Sequence, residues 1–221
     1  DFIVPEGRTH YQGYVTNIIT DLSTEWLETG RNKETPFALF VHHKVAHRNW
    51  MSDTTHLALY EDKTFELPAN FYDDYEGRVA AGQQEMQIAS NHDMDLGNDL
   101  KMIHPEVETR LSNAYIYGEY ARLDSAQKTA WDAHYQPIID EFYEAELEGN
   151  ELAEWKYQRY MRDYAKTVQS LDENIGRLLD YLEANDLLDN TVIFYTSDQG
   201  FYMGEHGWFD KRFMYEESFS T

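Results

Sequence analysis

The sequence of 221 residues contains no cysteine, few prolines and few cationic residues. Without cysteine, the chain has no disulfide, no thiolate metal site and no cysteine nucleophile. Eighteen lysines and arginines stand against 41 aspartates and glutamates, and the formal net charge is −23. This charge argues against nucleic acid as a partner, because nucleic-acid binding needs a basic face. No apolar run reaches the roughly 18–20 residues of a membrane helix, so the sequence predicts no membrane span.

Apolar and aromatic residues are abundant enough for a folded core. Hydrophobic residues make up 42% of the sequence and aromatic residues 15%, a composition typical of globular rather than disordered proteins. The aromatic side chains suit either carbohydrate stacking or ordinary core packing, and packing is the commoner use. Neither end resembles that of a complete element and no signal peptide opens the sequence, so we expect an internal portion of a longer protein.

Three stretches carry helical patterns. Apolar residues recur at helical spacing over residues 15–30, and a long helix is predicted over residues 152–184. Residues 105–148 look mostly helical, with interruptions expected near residues 123–125 and at Pro137.

Two short apolar runs indicate strands. Residues 37–41 and 191–195 are continuous apolar runs of the kind found in strands covered on both faces. Between them, residues 52–103 suggest loops with short helices. Strands that alternate with helices favour an α/β layered fold with a parallel sheet.

Polar side chains follow both predicted strands. His47 belongs to the cluster after the first, whereas Asp198 and Gln199 follow the second directly. Ligands bind beyond the carboxyl ends of parallel strands, so we expect these side chains at one edge of the sheet. Asp198 and Gln199 offer hard oxygen donors that suit calcium or magnesium, although two donors do not complete a site. From the spacing alone, a plain turn in which Asp198 caps and Gln199 is solvated is slightly favoured.

The loop after Gln199 adds further candidates. Lys211 can neutralise an anionic oxygen or protonate a leaving group, and a solvated surface lysine is the alternative. His47 can donate a hydrogen bond to an anion or act as an acid near neutral pH, although a lone histidine is more often structural. His206 lies inside a glycine-rich loop and is an intermediate case. Three glycines there permit tight turns and close backbone approach: Gly200, Gly204 and Gly207.

These segments resemble the sulfatase family. Residues 196–211, T-S-D-Q-G-F-Y-M-G-E-H-G-W-F-D-K, closely resemble the family's second metal motif and the lysine that follows it. Residues 37–50, F-A-L-F-V-H-H-K-V-A-H-R-N-W, are similar to the family's mid-domain strand and its Ala-Pro-His-Arg-Pro-Trp type segment, but without the prolines. Residues 91–94 and 99–102 most resemble bacterial enzymes that act on sulfated glycans, such as N-acetylglucosamine-6-sulfatase-like members.

The resemblance implies an α/β, alkaline-phosphatase-like layered fold with a mostly parallel sheet. Residues 1–221 would form the central part of the catalytic domain, without the N-terminal nucleophile segment and the C-terminal subdomain. The resemblance further implies that Asp198 and Gln199 hold a calcium ion, and that His47 and Lys211 contact the sulfate, stabilising charge and protonating the leaving group. It also implies that His206 touches the substrate, a sulfated carbohydrate.

The nucleophile of the family, a formylglycine made within a Cys/Ser-x-Pro-x-Arg motif, is expected outside this chain. None of the five prolines has cysteine or serine two residues before it. We therefore expect the parent protein to be a sulfatase. We expect the chain alone to show no sulfate ester turnover and only weak or absent calcium binding. The pair Asp73 and Asp74 follows no apolar strand, and we assign it to a solvated loop. The resemblance also suggests export to the periplasm or cell surface.

Two alternatives stay open at this stage. A phosphodiesterase or phosphonate hydrolase of the same superfamily would share the fold, although related zinc phosphatases favour histidine-rich two-metal sites over an Asp-Gln pair. A glycan-binding protein that has lost its nucleophile would share the sequence without catalysing the reaction.

Overall fold

A computed structural model describes residues 2–4, 7–103 and 116–220 of the chain. The chain divides into two compact units. The first unit comprises residues 1–47 and 167–194, and the second comprises residues 48–166 and 195–221. No helix in the described ranges combines the length and the apolar character that crossing a bilayer would need.

The first unit contains one hairpin and two helices. Strand β1 (Phe2–Val4) pairs antiparallel with β2 (Gly7–Thr9). Helix α1 (Val15–Glu25) continues into a π-helical turn (Trp26–Gly30), which confirms the helix predicted over residues 15–30. The second half of the long helix α5 (Gly149–Ala184) also belongs to this unit, and the helix predicted over residues 152–184 is confirmed.

Polar pairs join α1 to the second half of α5. Asn174 Nδ2 donates a hydrogen bond to Asn17 Oδ1 at 2.7 Å, and Arg177 pairs with Asp21. Residues three or four apart share one face of a helix, so Asn174 and Arg177 reach the same neighbour. A hydrogen bond and an ion pair therefore connect the two helices.

The prediction of strands over residues 37–41 and 191–195 is wrong. Neither run forms a strand, and several of their side chains are exposed, with Phe40 at 81%, Val192 at 80% and Phe194 at 88%. A strand exists only where a neighbour accepts its backbone hydrogen bonds, and no segment of the described residues pairs with either run. The apolar composition favours a sheet interior but does not itself supply the partner strands.

The second unit is built around helices α4 and α5. Residues 52–103 form mostly turns with one short helix, α2 (Val79–Gly82), as predicted. Helix α3 (Ile116–Ala121) precedes α4 (Ser125–Glu144), and part of the predicted helical stretch, residues 104–115, lies outside the described residues. The unit also contains strands β3 (Tyr202–Met203) and β4 (Phe209–Asp210) and helix α6 (Glu216–Phe219).

Helix α4 shows one confirmed and one wrong prediction. The interruption near residues 123–125 is confirmed, because Asp124 accepts from Gln127 N–H and forms a capping box that starts the helix. The interruption at Pro137 is wrong, since the helix runs through it. A proline removes one backbone hydrogen bond, but the buried stripe on both sides of it holds the helix together: Trp131, Tyr135, Ile139 and Phe142.

Asp163 lies at the centre of a buried ion cluster on α5. Its Oδ2 accepts a hydrogen bond from Lys101 Nζ at 3.0 Å, and its Oδ1 accepts from Arg159 Nη2 at 2.5 Å and Lys166 Nζ at 3.4 Å. Glu61 adds a bidentate pair with Arg159 at 2.8 Å for each bond. Buried charges are tolerated only when they are paired in this way.

Lys156 is a further buried cation of the same helix. Its Nζ donates hydrogen bonds to Ser90 O at 3.0 Å and Asn91 Oδ1 at 3.1 Å. Burial lowers the pKa of Lys156 to about 8, from an ordinary value of 10.5. Between these pH values the unfolded chain binds a proton that the folded chain does not, so the contribution of Lys156 to stability increases as pH rises through this window.

We therefore expect Lys156→Met to flatten the pH dependence of the unfolding free energy between about pH 8 and pH 10. Between pH 8 and pH 10 the unfolding free energy of the unsubstituted chain should gain about 2 kcal/mol relative to that of the variant. Urea denaturation at pH 8, 9 and 10 measures it. Lys128→Met, which removes a half-buried lysine of α4, is the matched control and should leave the slope unchanged. Equal slopes for all three proteins would contradict the prediction.

Candidate active site

Asp198 and Gln199 form an exposed turn after the second apolar run. Ser197 Oγ donates a hydrogen bond to Gln199 O at 2.8 Å and lies 3.5 Å from Asp198 Oδ1. Asp198 is exposed and Gln199 is half-buried. Among the described residues, Ser197 Oγ is the one group seen near the Asp198 carboxylate, and no hydrogen bond engages the Gln199 carboxamide.

Gly200 anchors this turn to helix α6. Its N–H donates a hydrogen bond to Ser218 O at 3.0 Å. A Cβ atom at this position would lie 2.1 Å from Glu217 O and 2.3 Å from Ser220 O, closer than any side chain is accommodated. Glycine is therefore required by the close approach of backbone to backbone.

A hairpin follows, in which β3 pairs antiparallel with β4. Its turn contains Gly207 at φ +69, where a Cβ atom would lie 2.7 Å from Phe71 O. Trp208 is fully buried beside the turn, stacked on Tyr75 at 5.5 Å and edge-on to Tyr202 at 5.2 Å. Aromatic packing of this kind fixes the hairpin that connects Gln199 to Lys211.

Lys211 follows β4 directly and is half-buried. Its Nζ lies 6.0 Å from the centroid of the Phe201 ring. Phe201 lies two residues after Gln199, so the ammonium of Lys211 lies near the ring of a residue close in sequence to the oxygen donors. Within the described ranges, no carboxylate pairs with the Lys211 ammonium. Its charge is therefore available to an anion.

His206 is held by a carboxylate. Its Nδ1 lies 2.6 Å from Asp73 Oδ2, and its side chain is 16% exposed. Asp73 also accepts from Arg78 Nη1 at 2.9 Å, and these hydrogen bonds from Arg78 and His206 hold the pKa of Asp73 well below its usual range. The assignment of Asp73 to a solvated loop is wrong, because its side chain is only 9% exposed, whereas Asp74 is exposed.

His47 is the one candidate that belongs to the first unit, whereas the other four lie in the second. It is exposed, and its N–H donates to Lys44 O at 3.0 Å in a turn. The convergence of His47 with Asp198, Gln199 and Lys211 stays a prediction.

The segment after His47 is clamped by side chains from residues 93–101. Arg48 pairs with both carboxylate oxygens of Asp99 at 2.6 Å each. Asn49 Nδ2 donates to Asn98 Oδ1 at 3.1 Å, and Lys101 Nζ donates to Asn49 O at 2.8 Å. Periodicity could not identify these pairs, since 51 residues separate Arg48 from Asp99.

The donor set fits part of a calcium site. Among the described residues, no group of three or more histidine, aspartate or glutamate side chains is close enough to hold a metal ion. The carboxylate of Asp198 and the carboxamide of Gln199 are hard oxygen donors of the type that calcium prefers, but calcium takes six to eight oxygen ligands. The remaining ligands must come from water, substrate or other residues.

A cleft of about 550 Å³ lies elsewhere in the second unit. Glu61, Trp155 and Arg159 contribute to its lining, and none of the five candidates does. Because Arg159 is already paired with Glu61 and Asp163, the cleft borders the buried ion cluster rather than the turn at Asp198.

Comparisons with known proteins agree on one family. The sulfatase family model matches residues 3–220. The N-acetylglucosamine-6-O-sulfatase of Bacteroides thetaiotaomicron is 49% identical over 207 residues, which are 93% of this chain and 37% of that protein. The choline-sulfatase of Rhizobium meliloti is 34% identical over 83 residues, 37% of this chain and 16% of that protein. The chain thus spans well under half the length of these relatives.

A solved structure shows the same likeness in three dimensions. It is a complex of a protein with its substrate, D-glucosamine-2-N,6-O-disulfate. The TM-score is 0.86 at 48% sequence identity, and the match covers 94% of this chain and 42% of the other. This likeness confirms the predicted fold, a partial alkaline-phosphatase-like α/β domain.

Proposed function

The chain belongs to the sulfatase family, and from this premise we propose that it is the central part of the catalytic domain of an enzyme that hydrolyses sulfate monoesters of a sulfated carbohydrate. One observation carries the proposal. The turn at Asp198 and Gln199 presents two oxygen donors, and the same hairpin ends in an ammonium without a carboxylate partner among the described residues. Oxygen donors for a hard cation and a positive charge on the same hairpin suit an anionic sulfate ester, to which further negative charge is added in the transition state.

Four of the five candidate residues have a direct role in this proposal. Asp198 and Gln199 hold a calcium ion, and Lys211 neutralises negative charge that develops on the sulfate oxygens. His47 contacts the sulfate and protonates the leaving oxygen. When bound, calcium supplies positive charge to a sulfate oxygen, and a formylglycine from outside this chain supplies the nucleophile. Preorganised positive charge of this type is the largest contribution to many ester hydrolyses.

The substrate class is proposed from the relatives. A sulfated glucosamine is the substrate in the solved structure with 48% identity, and the Bacteroides relative is named for the 6-O-sulfate of N-acetylglucosamine. We therefore propose a sulfated amino sugar for the parent enzyme. Sulfated glycans occur outside the cytoplasm, which favours an enzyme exported to the periplasm or cell surface.

The test uses the longer protein that contains this chain. Glucosamine 6-sulfate, galactose 6-sulfate and the phosphodiester bis(4-nitrophenyl) phosphate are offered at equal concentration, with and without a calcium chelator. We expect sulfate release from the glucosamine ester, loss of this activity in the chelator, and little release of 4-nitrophenol. Hydrolysis of the phosphodiester alone would favour the phosphodiesterase alternative. Sugar binding without any hydrolysis would favour the glycan-binding alternative.

A further inference from the structure

The imidazole of His206 connects three segments of the second unit. It projects from the turn between β3 and β4, and its Nδ1 contacts Asp73 in the loop over residues 70–78. Its Nε2 lies 3.6 Å from Glu217 Oε1 on helix α6. The ring also packs against Trp208 at 5.3 Å. Carboxylates therefore flank the ring on both nitrogen sides, and a substrate would have to displace one of them.

Helix α6 contacts both the His206 ring and the turn at Gln199. Glu217 belongs to the same short helix whose carbonyl groups enclose Gly200. Gly200 N–H donates to Ser218 O, one residue after Glu217. Because no side chain separates the backbone of Gly200 from α6, a displacement of α6 must displace Gly200 and the adjoining Gln199.

The backbone of His206 is also held by its neighbours. Its φ of 59 lies in the left-handed region, which is disfavoured for any residue with a Cβ atom. The hydroxyl of Tyr75 donates a hydrogen bond to His206 O, and Gly207 O accepts from Ile88 N at 2.8 Å. Strained conformations persist where surrounding contacts determine them, and they are frequent at functional sites.

We propose that His206 is a positioning residue, which Asp73 and Glu217 hold in place so that the turn carrying Asp198 and Gln199 keeps its geometry. Asp73 is itself held in place by a hydrogen bond from Arg78. That this turn holds calcium rests on the proposed function. The mechanical coupling of His206 to the turn does not. His206 therefore acts on the calcium donors through α6 and does not contact the sugar.

The coupling is tested first by hydrogen exchange on the 221-residue chain. The Gly200 amide is the reporter, since its hydrogen bond to Ser218 O depends on the position of α6. We expect Asp73→Asn, His206→Gln and Glu217→Gln each to speed exchange at Gly200 about tenfold. Asp74→Asn is the matched control, because Asp74 is the exposed neighbour of Asp73 and should have no effect. Near-ultraviolet circular dichroism identifies any variant that fails to fold. The exchange rates of the remaining variants then test the proposal.

The second measurement uses the longer protein and separates the two roles of His206. We expect Asp73→Asn and His206→Gln to weaken calcium binding, measured by calorimetry, by the same factor, and the double variant to be no weaker than either. The KM for the sulfated sugar at saturating calcium should not change. An unchanged exchange rate at Gly200 would overturn the proposal. So would a raised KM in His206→Gln when Asp73→Asn leaves the KM unchanged. If the unsubstituted enzyme hydrolyses no sulfate ester, the proposed function fails, while the exchange result still decides the coupling.

Discussion

Lys211→Met is expected to lower kcat for sulfate ester hydrolysis by the longer enzyme about 10²–10³-fold, the usual effect of removing one group that stabilises charge in the transition state. Methionine keeps the length and apolar character of the lysine stem, so contact with the Phe201 ring is retained. What disappears is a positive charge with no carboxylate partner in the described part of the chain. That charge is free to respond to the oxygen that becomes more negative as the ester bond breaks.

Steady-state kinetics on a 4-nitrophenyl or sugar sulfate ester measures this effect. Lys128→Met is the matched control, since its ammonium also lies over an aromatic ring, 5.5 Å from the centroid of Tyr120. It should leave kcat and KM unchanged. A raised KM with unchanged kcat would mean that Lys211 binds the ground state and the transition state equally. A change in kcat of less than about threefold would remove Lys211 from the proposed machinery.

Asp163→Asn is expected to reduce the unfolding free energy by about 3–5 kcal/mol, because it leaves buried cations without compensation. The substitution keeps the shape of the side chain but removes the charge shared by Lys101, Arg159 and Lys166. All three cations have side chains no more than 2% exposed, so water cannot replace the lost carboxylate. Asp172→Asn, on the exposed face of the same helix, should change stability by no more than about 0.5 kcal/mol.

Urea denaturation at pH 7 compares the two variants. A loss below about 1 kcal/mol for Asp163→Asn would mean that the cations release protons instead, since burial already lowers the pKa of Lys101 and of Lys166. That outcome would contradict the prediction.

The same cluster sets the response to acid. Burial alone would raise the pKa of Asp163, but the charges of Arg159, Lys101 and Lys166 lower it well below the usual range, and Glu61 is lowered in a similar way. A lowered folded pKa gives stability that is complete above the unfolded pKa of about 4 and is lost as pH falls below it. The chain should therefore lose stability steeply below pH 4, and Asp163→Asn should lose less.

The local patterns predicted the helices well and the strands poorly. Helical spacing identified α1 and α5 because an amphipathic helix satisfies its own backbone, so a local pattern is sufficient. The apolar runs at 37–41 and 191–195 required partner strands, which a local pattern cannot reveal. Pro137 predicted a break that the packed stripe of α4 prevents.

The candidate site divides in the same way. The oxygen donors and Lys211 could be proposed together from the sequence because they lie within 14 residues of one another. The partners of His206 were missed, since 133 residues separate it from Asp73. The ion cluster was also missed, because 62 residues separate Lys101 from Asp163 and a charged residue in the sequence resembles a solvated one.

The two exposed apolar runs govern how the polypeptide behaves in dilute solution. Phe40 and Phe194 are exposed to water, so each run offers an unpaired backbone template with which a strand of another molecule can pair. Recovery of monomer after dilution from urea should consequently fall as the polypeptide concentration rises. Added peptides that imitate a neighbouring strand should improve that recovery, because they would occupy the template first.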